Sequence, residues 1–255
     1  AAKLNFTIDD SAAEPISRLA SLVSDAPPAR LFDECLKMFL SGHAEKSFLG
    51  LETHGLLNVL FPETAKALNT NSSGALRAMV LQALRNTDTR IAEGKPVTPA
   101  FLFAALLWPA YCRELAILQK TGVDSTVAQQ RAADRVTLHQ AERIALPRRF
   151  SLPMQEIWLL QSRFSQRVRK RVFRLLSHPR FRAAFDFLEL RMSGAPEVAE
   201  DVAFWREAQI QSPEMLASRL DSKKTLHGSE PGDLSAAPKK RRRRKPRPSP
   251  QEATP

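Results

Sequence analysis

Arginine and lysine side chains recur through residues 148–182 in a pattern suited to contacting phosphate groups. The stretch contains ten positively charged residues and one negatively charged residue, Glu156. The ten are Arg148, Arg149, Arg163, Arg167, Arg169, Lys170, Arg171, Arg174, Arg180 and Arg182. Those at positions 163, 167, 170 and 174 follow the spacing of one helix face. Because helix turns lie ~5–6 Å apart, such a row matches the phosphate repeat of a single nucleic-acid strand.

Apolar residues of the same stretch recur at helical spacing on a different face, which predicts one amphipathic helix docked on a core. They are Ile157, Trp158, Phe164, Val168, Val172, Leu175 and Leu176. Phe150 and Phe181 lie beside arginines, and we expect their rings to stack on nucleic-acid bases. The competing interpretation is a solvated charged face. Such faces normally mix the two signs of charge, so the near absence of acidic residues favours nucleic-acid binding.

A second basic cluster lies near the C-terminus, between Lys239 and Arg247. It includes Lys239, Lys240, Arg241, Arg242, Arg243 and Arg244. The formal net charge is +11; residues 148–182 contribute +9 and the cluster +8, so the rest of the chain carries −6. A mildly acidic chain with two basic segments predicts a polyanionic partner. By itself the cluster fits a nuclear localisation signal, a membrane-surface patch or a nucleic-acid-binding tail.

Residues that commonly catalyse reactions or bind metals do not form a recognisable motif. The adjacent Asp9 and Asp10 are better explained by helix initiation than by metal binding. The five histidines lack metal-ligand spacing, and the glycines form no phosphate-binding loop. Cys35 and Cys112 are predicted to be buried free thiols. We therefore expect no catalytic centre, metal site or cofactor in this chain.

Helical periodicity and helix-start signals fill the sequence while strand signals are nearly absent, which predicts an all-α fold. Helices are predicted to begin at Pro28 and Pro62 and to cover 75–92, and a strongly apolar one is predicted to end at Pro109. The composition of residues 221–255 predicts a disordered tail. Neither a signal peptide nor an apolar run of membrane-spanning length is found, which predicts a soluble intracellular protein.

Several motifs, in a fixed order, carry a family resemblance. They are Pro27-Pro28-Ala29-Arg30-Leu31-Phe32-Asp33-Glu34-Cys35-Leu36-Lys37, Leu84-Arg85-Asn86-Thr87-Asp88-Thr89-Arg90, Thr98-Pro99-Ala100-Phe101-Leu102-Phe103-Ala104-Ala105, Leu146-Pro147-Arg148-Arg149-Phe150 and His178-Pro179-Arg180-Phe181-Arg182-Ala183-Ala184. Together they resemble the region beyond the catalytic head of bacterial poly(A) polymerases, which are class II nucleotidyltransferases related to the tRNA CCA-adding enzymes. The resemblance spans roughly residues 1–210, and its last motif favours the poly(A) branch.

The resemblance implies neck-like helices over residues 1–60, a helical RNA-binding body over 61–220 and the basic tail over 221–255. It places the metal-binding aspartates in a head domain that this chain is expected to lack, so ATP and Mg²⁺ would belong to the intact enzyme. Arg30, Glu34 and Lys37 match the family motif Arg-x-x-x-Glu-x-x-Lys, which braces the neck helices beside the nucleotide. The spacing of Arg30 and Glu34 predicts a modest ion pair between them.

The expected function is that of the RNA-binding C-terminal portion of a cytoplasmic bacterial poly(A) polymerase. The expected partners are single-stranded RNA 3′ ends, together with RNA-degradation proteins and no membrane. Two alternatives remain: a helical adaptor that binds acidic protein or membrane surfaces, and the corresponding region of a tRNA CCA-adding enzyme.

Overall fold

Proline, glycine and aspartate residues divide the chain into helices. The computed structural model describes the backbone of residues 1–226 and the side chains of residues 1–221. Its helices are α1 (Asp10–Leu19), α2 (Pro28–Phe39), α3 (Ala44–Thr53), α4 (Leu56–Leu60), α5 (Pro62–Thr70), α6 (Ala75–Ala92), α7 (Pro99–Gln119), α8 (Ser125–Ala141), α9 (Arg148–Gln161), α10 (Arg169–Leu176), α11 (Phe181–Arg191), α12 (Ala199–Ala208) and α13 (Pro213–Leu226). Short 3-10 helices cover Ala2–Leu4, Ala20–Asp25 and Pro196–Val198. Residues 1–226 contain no strand, so the predicted all-α fold is confirmed.

The helix-start signals read from the sequence coincide with helix starts in the structure. Pro28, Pro62 and Pro99 each occupy the first turn of their helix, where a missing backbone N–H costs nothing. The Asp9 carboxylate accepts the backbone N–H of Ser11 at 3.0 Å, which supports the helix-initiation interpretation of this residue. The predicted helix 75–92 coincides with α6.

Helix α7 is the centre of the fold and packs against α5, α6, α8 and α9. The prediction that it ends at Pro109 is wrong, because the helix continues to Gln119 with Pro109 buried inside it. Side chains from two neighbouring helices bond carbonyls near the proline. Thr64 donates to the Leu106 oxygen at 2.9 Å, and the Trp158 indole donates to the Ala104 oxygen at 3.0 Å. These tertiary hydrogen bonds tie the turn before Pro109 to α5 and α9, on either side of the Ala105 carbonyl that loses its helical donor.

The continuous α7 also corrects the expectation about apolar runs. By length and composition it could cross a membrane, with a mean hydropathy of 1.5 over an 18-residue window. In this fold, however, 61% of that window is buried among other helices. Its apolar sequence is therefore explained by its place in the core of the helical body.

Two clusters of buried apolar side chains hold the helices together. The first lies around α7 and includes Phe103, Trp158 and Phe187. The second lies among α9 to α13 and includes Phe164 and Trp205. Helix α11 contributes to both clusters, with Phe187 in the first and Phe185 in the second. The two cores are therefore joined through a shared helix.

The basic stretch does not form one helix. The chain turns at residues 162–165 and runs without helical structure over 166–168, which separates α9 from α10. Phe164 at this break is fully buried, and its carbonyl accepts the Trp205 indole N–H at 2.7 Å. A buried carbonyl that has lost its helical partner thus gains a side-chain donor. The predicted single helical row of cations is therefore wrong in its geometry.

The C-terminal end differs in one respect from the predicted tail boundary. Helix α13 extends to Leu226, so residues 221–226, at the start of the predicted tail, are helical. Residues 227–255 lie outside the described part of the chain.

Candidate nucleic-acid interface

The start of α9 and the start of α2 meet at one edge of the fold, although they are more than 100 residues apart in sequence. The backbone N–H of Ala145 donates to the Pro28 oxygen at 3.1 Å. In the first turn of α9, the Phe150 ring stacks on the Phe32 ring of α2, and the ring centroids are 5.9 Å apart. These contacts bring Arg30 of α2 close to the arginines at the start of α9.

Four exposed arginines lie within a few residues of these contacts, and we call them the α2–α9 edge. They are Arg30, Arg143, Arg148 and Arg149. None of them forms an ion pair with a described residue. The Arg149 guanidinium lies over the Phe150 ring at 4.9 Å, which orients the group without neutralising it. This edge therefore presents four guanidinium groups that form no ion pair with a described carboxylate.

Helix α10 presents a second unpaired basic surface. Lys170, Arg171 and Arg174 are exposed, whereas Val172 and Leu175 are buried in the second core. Arg174 lies three residues after Arg171 and four after Lys170, so it neighbours both side chains on the helix surface. Among described residues their only side-chain partner is Gln166, whose oxygen accepts from Arg171 at 2.9 Å. We call these three residues the α10 face; exposed Arg163 lies on the preceding turn and is also unpaired within the described chain.

Four of the ten predicted cations are paired with carboxylates. Arg167 contacts Asp201 at 2.8 Å, Arg169 contacts Asp221 at 2.7 Å, Arg180 contacts Glu156 at 2.9 Å and Arg182 contacts Asp186 at 2.8 Å. Exposed pairs of this kind contribute only ~0–1 kcal/mol, but each carboxylate repels a phosphate that approaches its partner. The predicted RNA-binding set thus divides into unpaired and neutralised members.

The paired Asp186 shows the local balance of burial and charge. Burial raises its pKa above the usual aspartate value, and Arg182 acts in the opposite direction. Arg182 is thus ion-paired with the half-buried carboxylate of Asp186 on its own helix.

The two aromatic rings proposed to stack on bases differ in the structure. Phe181 is 7% exposed and packs on Phe164, Phe185 and Trp205 in the second core. Its expected surface role is wrong, because stacking on a base would require opening that core. Phe150 is half-buried, with Phe32 against its ring and Arg149 over it.

The motif from His178 to Arg182 has a structural explanation. The His178 Nδ1 accepts the backbone N–H of Arg180 at 3.1 Å, immediately before α11 begins. Arg180 bonds Glu156, and Arg182 bonds Asp186. Phe181, between them, is buried in the second core. These residues therefore join α11 to α9 and to the second core.

The predicted Arg30–Glu34 ion pair is absent from the described structure. Glu34 instead bonds Lys37 at 2.9 Å, and both groups are exposed. Arg30 is consequently available at the α2–α9 edge. Sequence reasoning missed Arg143 altogether, although its place five residues before Arg148 was a usable signal.

The remaining candidates concern the tail and metal sites. Lys239, Lys240, Arg241, Arg242, Arg243 and Arg244 lie outside the described residues. Within the described part of the chain, no group of three or more His, Cys, Asp or Glu side chains could hold a metal ion. Cys35 is buried and Cys112 is half-buried, and both are free thiols. Burial raises the pKa of each to about 12.

An all-α body with unpaired cations at one edge and on one exposed helix face has the charge pattern expected of a polyanion-binding helical protein. Residues 121–248 match the family model described as the arginine-rich C-terminus of polymerase A. Residues 5–68 match a second model, described as the probable RNA and SrmB-binding site of polymerase A. The chain belongs to the bacterial poly(A) polymerase family, as its motifs predicted.

Curated relatives agree with this assignment. The chain is 39% identical over 216 residues to poly(A) polymerase I of Salmonella typhi and, at the same identity and length, to that of Escherichia coli O157:H7. It is 32% identical over 228 residues to poly(A) polymerase I of Haemophilus influenzae. These alignments cover 84–89% of this chain and 46–50% of the relatives. The chain therefore spans about half the length of the relatives it matches.

Proposed function

We propose that this chain holds RNA for an adenylyltransferase that extends RNA 3′ ends with ATP. One observation carries the proposal: in a member of the poly(A) polymerase family, Arg30, Arg143, Arg148 and Arg149 lie at one edge without carboxylate partners among residues 1–221. Exposed, unpaired cations bind nucleic acid of any base sequence, because contacts to phosphate groups do not distinguish one base from another. This property suits an enzyme that extends many different RNAs.

The two unpaired surfaces define a path for the RNA. The α2–α9 edge lies at the start of α9, and the α10 face follows the end of α9 along the chain. Helix α9 has 14 residues and is thus about 21 Å long. A single strand that contacts both surfaces would therefore extend over several phosphates.

Other parts of the proposal concern the intact enzyme. ATP and Mg²⁺ would act with the catalytic part of the parent protein, and this region would keep the RNA 3′ end close between additions. The description of the model that matches residues 5–68 supports RNA and a protein partner at the N-terminal helices. We also propose that the protein interacts with RNA-degradation proteins and that it is located in the cytoplasm.

Fluorescence anisotropy with labelled single-stranded RNA across a salt series tests this function. The protein would be used in full and as residues 1–226, with duplex DNA and heparin as competitors. We expect both forms to bind RNA with a strong salt dependence and to prefer RNA over duplex DNA at equal charge. Equal competition by heparin and duplex DNA would favour the adaptor alternative instead.

A further inference from the structure

A pocket of about 340 Å³ lies between α7, α8, α9 and α11, away from the α2–α9 edge. Its lining includes Tyr111, Cys112, Gln129, Gln161, Ser162 and Arg191. The volume is within the range of small-ligand sites. Nothing in the RNA path described above uses these side chains.

Arg191 brings a positive charge into this pocket without a bonded carboxylate among the described residues. Its Nη1 donates to the Gln161 oxygen at 3.3 Å, and its guanidinium lies over Trp108 at 5.2 Å. A guanidinium has five N–H donors, so most of them remain unused. Burial lowers the pKa of Arg191, and more distant Glu197 and Asp201 counter this effect. Asp201 lines the same pocket, but it is bonded to Arg167 at 2.8 Å.

Tyr111 provides a second hydrogen-bond donor at the pocket. Its side chain is 2% exposed, and its ring stacks between Trp108 and Trp158, with centroids 5.1 and 5.0 Å away. The hydroxyl forms no hydrogen bond with any described residue. The donor of this hydroxyl is therefore available to a ligand in the pocket.

The protonation states of the inner wall favour an anion. Burial raises the pKa of the Tyr111 hydroxyl well above its usual value, so the group remains a neutral hydrogen-bond donor. The pKa of the Cys112 thiol is raised to about 12, so this side chain carries no negative charge at neutral pH. The inner wall therefore combines one cation with neutral donors. At the mouth, Ser162 and Gln129 are joined by a 2.9 Å hydrogen bond and offer further polar groups.

We propose that this pocket binds the phosphate group of a single nucleotide, with Arg191 and Tyr111 as its ligands. Guanidinium and hydroxyl donors match phosphate oxygens, and the polar mouth can accommodate a sugar or a base. The nucleotide could be free or could be the end of an RNA. This inference rests on the proposed function and deepens it by adding a phosphate contact inside a pocket to the exposed RNA path.

Calorimetric titration with inorganic phosphate, AMP and adenosine tests the assignment. Phosphate and AMP should bind, and adenosine should bind at least about tenfold more weakly because it lacks the charged group. Tyr111→Phe should weaken AMP binding about fivefold or more, and Arg191→Gln about tenfold or more. Arg135→Gln is the matched control, because Arg135 is paired with Glu114 at 2.7 Å and does not line the pocket.

Tyr111→Phe keeps the test decisive even if Arg191→Gln impairs folding. It removes only a hydroxyl that has no partner in the described protein, so the circular dichroism spectrum and Tm should not change. Equal binding of AMP and adenosine, no binding of AMP at millimolar concentration, or an unchanged Kd in the folded Tyr111→Phe variant would each overturn the proposal.

A competition experiment distinguishes the two sources of phosphate. If a short RNA displaces AMP, and does so less well in Tyr111→Phe, the pocket holds an RNA nucleotide. If RNA and AMP bind together, it holds a free nucleotide. If the protein binds RNA but binds neither phosphate nor AMP, only the pocket proposal is refuted. If residues 1–226 do not bind RNA, the proposed function is refuted.

Discussion

At the scale of single residues, the important difference among the basic side chains is whether a carboxylate lies beside them. Arg167 and Arg180 are bonded to Asp201 and Glu156, whereas Arg148 and Arg174 have no such partner among described residues. A free cation exchanges bound counterions for phosphate, but a paired one must first leave its carboxylate. Availability for RNA is thus decided by the neighbours of each arginine.

The first prediction concerns the α2–α9 edge. Arg148→Ala together with Arg149→Ala should lower RNA affinity about tenfold or more at moderate salt, and should reduce the slope of log K against log salt by about 1.4. Anisotropy across a salt series measures both quantities. Arg77→Ala together with Arg85→Ala is the control, because Glu52 and Glu45 neutralise these two arginines at 2.7 Å. If both variants lower RNA affinity and the salt slope equally, RNA binding depends on the net charge of the protein and not on this edge.

The second prediction concerns the cysteines. Because only a thiolate reacts with a disulfide reagent, a pKa of about 12 leaves about one Cys35 thiol in ten thousand reactive at pH 8. We expect both thiols to react very slowly in the native protein and rapidly after denaturation. The native rate should rise about tenfold for each pH unit up to pH 10. Rapid labelling of the folded protein at pH 8 would contradict the burial of these groups.

At the scale of helices, the connections between elements determine which residues face solvent. The break over 162–168 separates α9 from α10 and directs Phe164 into the second core. Helix α10 can then turn Val172 and Leu175 inward while its cations remain outside. A continuous helix could not satisfy both sets of contacts with the same spacing.

The third prediction concerns the junction of α11 with α6. Gly194 follows α11, and a Cβ there would overlap the Ala75 carbonyl at the start of α6. Gly194→Ala should therefore lower the free energy of unfolding by about 1–3 kcal/mol, and Tm by roughly 3–10 °C. Gly50→Ala in α3 is the control; its Cβ meets nothing within 4 Å, and the change should stabilise the helix by about 0.5–1 kcal/mol. Thermal unfolding followed by circular dichroism compares them, and equal Tm values would refute close packing at Gly194.

At the scale of the whole molecule, the charge is divided between the helical body and the C-terminal segment. Residues 227–255 contain eight basic and three acidic residues, so residues 1–226 retain +6 of the net +11. Within the body, α9 and α11 belong to both apolar clusters. The α2–α9 edge and the α10 face are therefore attached to connected cores.

The fourth prediction separates the body from the C-terminal segment. Deleting residues 227–255 should weaken RNA binding about 10- to 100-fold at low salt, because eight basic residues are removed. Binding by residues 1–226 should remain measurable and should still respond to Arg148→Ala with Arg149→Ala. Complete loss of binding on deletion would show that the unpaired surfaces of the body do not hold RNA.

The sequence by itself determined the all-α fold, most helix starts and the family. Prolines at the first turn and apolar residues at helical spacing are local signals, so Pro28, Pro62 and the helix Ala75–Ala92 could be predicted from the chain alone. The family motifs depend on residue order, which needs no coordinates. Burial of Trp158 and Phe164 followed from the same periodicity.

Only the tertiary structure decided which charged and aromatic residues are available. Asp201, Asp221 and Glu156 are distant in sequence from the arginines that they neutralise. Phe181 is covered by two remote rings, Phe164 and Trp205, in addition to Phe185 of its own helix. Likewise, side chains from other helices support α7 across Pro109, and a backbone hydrogen bond brings Arg30 to the start of α9. The physical reason is the same in each case: local spacing fixes the face of a helix, but the partner on that face comes from a remote segment.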